Sequence, residues 1–249
     1  MDGQTGLKLD DNWEIICPWA QIMIGTTMPV HITENMIELT DEILERKNKE
    51  DYGEKLAGQI NNEYGIDLED LEEWNVKKYF QETINKYFAT ILSNHGVLRY
   101  ILDDTSGAWP GSKHTNWSCL LNSMWIVSQY ENEYNPLHNH SNCKLSAVMY
   151  LKIPEYEESR KSYKPTDGNI LFVGGGGIDR YFTTSNVAIN PQVGNLFLFP
   201  SSLNHQVYPF RGKGERRSVS FNVDIFSEQQ MEEMRSVDNI QLEQDNRED

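Results

Sequence analysis

Cysteine is scarce. Cys17, Cys119 and Cys143 are the only three in 249 residues, they lie far apart, and none stands in a Cys-x-x-Cys pair. An odd, scattered set argues against a disulfide framework and for a reducing compartment, so a cytoplasmic setting is expected. No apolar run approaches the roughly 18 residues a membrane span needs, and no charged-then-apolar leader opens the chain. No membrane partner is expected. Basic charge is also short, with 22 Lys/Arg against 38 Asp/Glu and a net charge of −16. Without a basic stripe, a nucleic-acid partner held through phosphates is disfavoured. The acidic excess is confined to residues 34–73, with 14 acids against 4 bases, and residues 228–249, with 8 against 2. Such runs read as solvated helix faces and an acidic tail. The Gly174-Gly175-Gly176-Gly177 run lacks the Lys-Ser/Thr of a phosphate loop and the strand-to-helix context of a dinucleotide site, so it reads as a flexible turn.

Hydrophobic residues make up 38% of the chain and aromatic residues 11%, enough for a packed core and a pocket. Residues 1–33 mix short apolar runs, Ile15-Ile16 and Ile22-Met23-Ile24, with Pro18 and Pro29, and predict an outer strand or two. Thr33 then reads as an N-cap, followed by Met36, Leu39 and Ile43 at helical spacing. Residues 48–66 are polar and hold Gly53, Gly58 and Gly65, the pattern of a loop. Asp67 begins a second helical pattern whose apolar face carries Val76, Phe80, Ile84, Tyr87, Phe88 and Ile91, with Gly96 as its stop. That stripe is expected to face a core. From about residue 97 the runs become short, aromatic and β-branched. Candidate strands are 98–102, 123–130, 144–152, 168–173, 181–189, 195–199, 204–208 and 216–225. Strands of this length with turn residues between them, and no strand–helix alternation, predict a sandwich or barrel.

Six histidines are present, and His31, His95 and His114 are isolated. His138 and His140 sit in Asn135-Pro136-Leu137-His138-Asn139-His140, and in an extended segment residues two apart share a face. His205 opens another strand. Eleven residues on, Arg216, Ser218, Ser220 and Asn222 alternate with Arg217, Val219, Phe221 and Val223. The upstream run Leu196-Phe197-Leu198-Phe199 has no polar face, so a strand beside it lies near the middle of a sheet, and a polar face there lines a pocket. An arginine in that pocket needs an anionic partner. Imidazoles that hold a metal, with an Arg and a Ser beyond them, match the needs of Fe(II) and 2-oxoglutarate. The metal takes His ligands on one side and keeps open positions for the 2-oxo acid. The distal carboxylate of the cosubstrate suits the planar fork of Arg, helped by a hydroxyl.

Region 122–225 resembles the 2-oxoglutarate/Fe(II) oxygenase superfamily, and within it a group of largely uncharacterised oxygenases. Trp125 stands in a strand and the Asn-Pro-x-His-x-His turn follows at 135–140. Then come Ser146-Ala147-Val148-Met149-Tyr150-Leu151, the segment Gly194 through Phe199-Pro200-Ser201 to His205, and Arg216-Arg217-Ser218-Val219-Ser220-Phe221-Asn222. Four motifs in order span about two fifths of the chain. The resemblance implies a mainly β fold with flanking α-helices and a double-stranded β-helix core, a jelly roll of cupin-like type. It implies Fe(II) held by His138, His140 and His205. It also implies 2-oxoglutarate anchored by Arg216 and Ser218, with Tyr150 and Ser146 lining the pocket and Trp125 packed beneath it. One departure stands out, because the superfamily usually has His-x-Asp or His-x-Glu and this chain has His140 in the acidic place. If His140 were the first ligand instead, Asn142 would occupy that place. Direct ligation by His140 is expected; a contact with substrate, leaving water on the metal, is the alternative.

The implied reaction is hydroxylation of a small molecule or a protein side chain, with release of succinate and CO2. A three-His cupin dioxygenase or isomerase without 2-oxoglutarate is the first rival, and it leaves Arg216 without a role. A non-catalytic jelly-roll binding module is the second. The expected organisation is a single domain: residues 1–96 as strand and helical support, 97–226 as the jelly-roll oxygenase core, and 227–249 as an acidic tail. Nothing in the chain selects an oligomeric state.

Overall fold

The computed structural model describes residues 22–93, 117–157, 166–174, 185–227 and 230–234. Strand β1 (Ile24–Thr27) leads into helix α1 (Val30–Glu45) and a 3-10 turn at Gly53–Lys55. Strand β2 (Asn62–Ile66), helix α2 (Leu68–Glu73) and helix α3 (Lys77–Ser93) follow. Eight more strands come next: β3 (Trp117–Gln129), β4 (Asn135–His138), β5 (Leu145–Lys152), β6 (Ile170–Val173), β7 (Asn186–Ile189), β8 (Asn195–Pro200), β9 (Asn204–Val207) and β10 (Arg216–Ser227). They form a six-stranded sheet in the order β1-β8-β5-β10-β3-β2 and a four-stranded sheet in the order β4-β9-β6-β7. Every pairing is antiparallel. From β3 to β10 the chain passes back and forth between the two sheets. That order is consistent with a double-stranded β-helix type of core.

The period-2 alternation of the strands divides the interior into two layers. On β10, Val219, Phe221 and Val223 turn toward the helices. There they join Met36, Leu39 and Ile43 of α1 and Phe80, Ile84 and Tyr87 of α3. Phe80 meets Phe221 edge-on, with ring centroids 5.3 Å apart. Strand β5 is buried from Leu145 to Leu151 because both its faces are covered. Ala147, Met149 and Leu151 pack on the helix side. Val148 and Tyr150 pack with Phe199 against Ile170, Phe172 and Leu203 of the smaller sheet and its approach.

Local structure departs from the sequence expectations at three places. Helix α1 begins at Val30, directly after Pro29, because proline fixes the φ of the residue that enters the helix. Thr33 is therefore inside the helix and is not its cap; its hydroxyl donates back to the Pro29 carbonyl at 3.2 Å. The pattern that begins at Asp67 is two helices. Asn75 adopts φ 56° between them, a left-handed turn that Asn tolerates better than most residues. Residues 48–66 are not all loop, since β2 pairs with β3 along Asn62–Ile66. Asp67 does precede α2, and Val76, Phe80, Ile84, Tyr87 and Phe88 are buried as expected. The proposed strand at 98–102, the stop at Gly96, Gly175–Gly177 and most of the acidic tail lie outside the described residues. Among the described residues, no helix is long and apolar enough to cross a membrane.

Candidate metal centre and adjoining cavity

His138 ends β4, His205 lies in β9, and the two are directly paired across the smaller sheet. Their ring centroids are 4.2 Å apart. His140 follows in the turn, where its backbone N–H donates to the Ser201 carbonyl at 2.9 Å. That bond brings its ring to 5.5 Å from His138 and 5.2 Å from His205. One ring nitrogen from each histidine lies within 4.8 Å of the other two.

The second nitrogen of each ring is occupied. His138 Nδ1 lies 2.7 Å from the Pro136 carbonyl, and His205 Nδ1 lies 2.9 Å from the Leu203 carbonyl. His140 Nδ1 lies 2.8 Å from Asn222 Oδ1. A carbonyl oxygen only accepts, so each Nδ1 carries the proton and each Nε2 keeps a free lone pair. Burial reinforces this by disfavouring the imidazolium. It lowers His138, takes His140 down to about 4 and, with His138 alongside, takes His205 down to about 3. At neutral pH three neutral imidazoles therefore converge, the donor set an intermediate-soft divalent metal takes.

The histidines open onto a cavity of about 430 Å³. One wall comes from the large sheet. Paired residues of β10, β3 and β5 make rows across it: Arg216 with Gln129, Ser218 with Val127 and Tyr150, Ser220 with Trp125 and Val148, and Asn222 with Ser123. Arg216 is 1% exposed. Its Nε donates to the Gly168 carbonyl at 3.1 Å and its Nη1 to Gln129 Oε1 at 3.0 Å. Among the described residues its Nη2 has no hydrogen-bond partner, and neither do the buried hydroxyls of Tyr150 and Tyr156. The guanidinium carbon sits 4.9 Å over the Tyr150 ring. Burial raises the pKa of both tyrosines, and Arg216 opposes the rise through its charge and its closeness to their hydroxyls. The hydroxyls stay protonated as donors. A buried cation with an idle N–H and two idle hydroxyls is the environment a carboxylate fits.

Residues 123–222 match the family described as "Putative 2OG-Fe(II) oxygenase". That stretch, about two fifths of the chain, is similar to the 2OG-Fe(II) oxygenase superfamily. No curated protein matches the chain. Among solved structures, a prolyl-4-hydroxylase from Pseudomonas putida is similar at 15% identity over 82% of this chain and 93% of that one, with TM-score 0.48. AviO1 from Streptomyces viridochromogenes Tue57 is similar at 9% identity over 83% and 90%, with TM-score 0.49. An oxidoreductase of the 2OG-Fe(II) oxygenase family from Burkholderia pseudomallei is similar at 14% identity over 43% of this chain, TM-score 0.34; the match spans 44% of that chain.

Within the matched segment, the structure brings His138, His140 and His205 together and sets Arg216, Ser218 and Tyr150 in the wall of the same cavity. Ser146 stands apart from that wall. Its hydroxyl donates to Asn222 Oδ1 at 3.0 Å, and so braces the amide that holds His140. Trp125 is in the wall and stacks on Tyr52, with ring centroids 5.4 Å apart. Arg217 faces the opposite way. It is bound by Glu215 at 2.6 Å and by Asp41 of α1 at 2.6 Å. Asn142 also borders the cavity, at φ 58°.

The sequence pattern does not mark Asn222 as a histidine anchor, Gln129 and Tyr156 as neighbours of Arg216, or Glu63 as a residue of the cavity. Asn222 was visible on the polar face of β10. Gln129 and Glu63 carry no pattern, since their roles arise from strand pairing across the sheet, and Tyr156 reaches Arg216 from the segment after β5.

Proposed function

We propose that the protein is a non-haem Fe(II)- and 2-oxoglutarate-dependent dioxygenase that hydroxylates its substrate and releases succinate and CO2. The observation that carries this reading is the pairing, in one cavity, of three imidazoles with free Nε2 lone pairs and a buried arginine with an unpartnered N–H. The expected double-stranded β-helix supports it, because the strand order puts β4, β9 and the large-sheet strand β10 around that cavity. Its setting is a single domain in which residues 1–96 support the oxygenase core at 97–226. The scarcity of cysteine supports a cytoplasmic location, and the lack of a basic stripe argues against nucleic acid, which leaves a small molecule or protein side chain as substrate.

His138, His140 and His205 hold the metal in this reading. When bound, Fe(II) with 2-oxoglutarate supplies the oxidising chemistry that inserts one atom of O2 into a C–H bond, with the other ending in succinate. The chain's own residues set its conditions. The Pro136, Leu203 and Asn222 oxygens fix the three tautomers and ring orientations. Arg216 Nη2 and the Tyr150 and Tyr156 hydroxyls bind the distal carboxylate, with Ser218 beside them. Phe172 and Phe199 flank His205, with ring centroids 5.9 and 4.9 Å away, and exclude water from that side. The absence of a carboxylate from the His-x-His turn favours a second reading, a three-His cupin-type dioxygenase without 2-oxoglutarate. The idle Arg216 N–H favours the first.

Anaerobic titration with Fe(II) followed by 2-oxoglutarate separates the readings. Stoichiometric iron binding and a new visible charge-transfer band on adding 2-oxoglutarate are expected, with slow succinate release once air is admitted. Iron binding with no response to 2-oxoglutarate would leave the cupin-type reading. Failure to bind iron would remove both.

A further inference from the structure

The cavity has a second charged wall. Glu63 on β2 pairs with Val127 on β3, so both side chains turn to the cavity face of the large sheet. Glu63 is 2% exposed, and among the described residues neither of its carboxylate oxygens has a hydrogen-bond partner. Its surroundings hold acceptors and negative charge. An added Cβ on Gly58 would lie 3.0 Å from both Glu63 oxygens and 2.9 Å from Asn135 Oδ1, so three acceptor oxygens crowd one spot. Any side chain at position 58 would press on them. Lys55 borders the cavity, but its ammonium is held by Glu50 at 2.6 Å over the Tyr52 ring. Burial, and then the charges of Glu133 and Asp51, push the Glu63 carboxyl up to about 7.

A buried carboxylate without a donor is expensive to keep. Arg216, on the other side of the same cavity, presents the complementary case of a cation without an anion. Glu63 lies at the end of the Ser218–Val127 row, two strands and about 10 Å from Ser218 across the sheet. An anionic cosubstrate takes the Arg216 side, which leaves the Glu63 side for a group of opposite sign. Resting on the oxygenase reading for what happens next, we propose that Glu63 is the substrate-recognition carboxylate of this cavity and that the substrate carries an alkylammonium or guanidinium group. Asn135 Oδ1 supplies a further acceptor to that group, and the Tyr52–Trp125 pair forms the aromatic wall beside it.

The test is calorimetric titration of the metal-free full chain at about pH 8, where the side chain is ionised. The probes are n-butylguanidinium, n-butylammonium and the neutral isostere N-butylurea. The cations should bind at least about tenfold more tightly than the urea, since a charge-assisted pair is lost with the latter. Glu63→Gln should abolish the difference, Glu63→Asp should keep part of it, and Glu69→Gln, an exposed carboxylate on α2, should keep all of it. Equal affinity for cation and urea would overturn the proposal. So would retention of the preference in Glu63→Gln, or no cation binding up to about 50 mM, a free energy below 2 kcal/mol. A fall in the unfolding midpoint of Glu63→Gln would assign the carboxylate a structural role and would also overturn it. Titration of the parent with Fe(II) and 2-oxoglutarate is the separate arm. Cation preference without a 2-oxoglutarate response removes the oxygenase reading and leaves the carboxylate site standing.

Discussion

Arg216 and Arg217 are neighbours with opposite surroundings, because a strand turns each successive side chain to the other face. Arg217 is satisfied within the protein by Glu215, Asp41 and the Thr40 hydroxyl. Arg216 retains an idle N–H beside two idle tyrosine hydroxyls. Arg216→Ala is therefore expected to weaken 2-oxoglutarate binding by roughly 2–4 kcal/mol, the range for removing one partner of a buried charge pair. Arg217→Ala is expected to act on folding instead. Calorimetric titration with 2-oxoglutarate and thermal unfolding, run on both variants, check the division; the reverse ranking would put the cosubstrate on the helix face of β10. Glu63 gives a second residue-scale prediction, this time in pH. Its folded carboxyl titrates near about 7 against an ordinary value of 4.5. Between those values the folded chain binds a proton that the unfolded chain has released, so stability falls as pH rises through that window and levels off above it. Glu63→Gln removes the penalty. At about pH 8 the variant should be more stable by up to roughly 3 kcal/mol, and at about pH 4 no different. Urea unfolding at the two pH values checks this, and a loss of stability at the higher pH would contradict it.

At the scale of elements, the helix layer and the cavity use opposite faces of the same strands. On β10, Val219, Phe221 and Val223 bind the helices while Ser218, Ser220 and Asn222 face the cavity. Phe221→Ala would open a hole between β10 and α3, next to Phe80, and should destabilise the fold by about 3–5 kcal/mol. Chemical denaturation measures it, and a change below about 1 kcal/mol would mean that α3 is loosely docked. The alternation on β10 and the His-x-His turn were legible in the sequence because each is a local pattern with a period of two. So were the apolar faces of α1 and α3, which rest on helical periodicity. β2 was not legible, for Asn62-Glu63-Tyr64-Gly65-Ile66 has too few apolar residues to stand out, and its strand character comes from pairing with β3. Glu63 was missed for the same reason, as a lone acid within an acidic stretch. Ser146 shares the strand parity of Tyr150, yet it stops at Asn222 because that amide lies between it and His140.

At the scale of the whole molecule, the metal centre joins the two sheets. His138 and His205 belong to the smaller sheet, while His140 is tethered through Asn222 to β10 of the larger one. A divalent ion bound by all three would tie the sheets together in the folded state and find no such site in the unfolded chain. It should therefore stabilise the protein by mass action: about 2.7 kcal/mol when free metal stands at about 100 times its dissociation constant. For a chain of this size that corresponds to a rise of about 5–11 °C in the unfolding midpoint. Anaerobic thermal unfolding with Fe(II), and reversal by a chelator, measure it. His138→Ala and His205→Ala should abolish the rise, since two imidazoles hold such an ion poorly. His140→Ala decides the remaining ligand. Loss of the rise is expected if His140 Nε2 reaches the metal, because removal of one of three ligands then falls on the metal itself. A rise that survives in His140→Ala would leave His138 and His205 as the protein's ligands, with His140 turned to the substrate, and the oxygenase reading would stand without its third histidine.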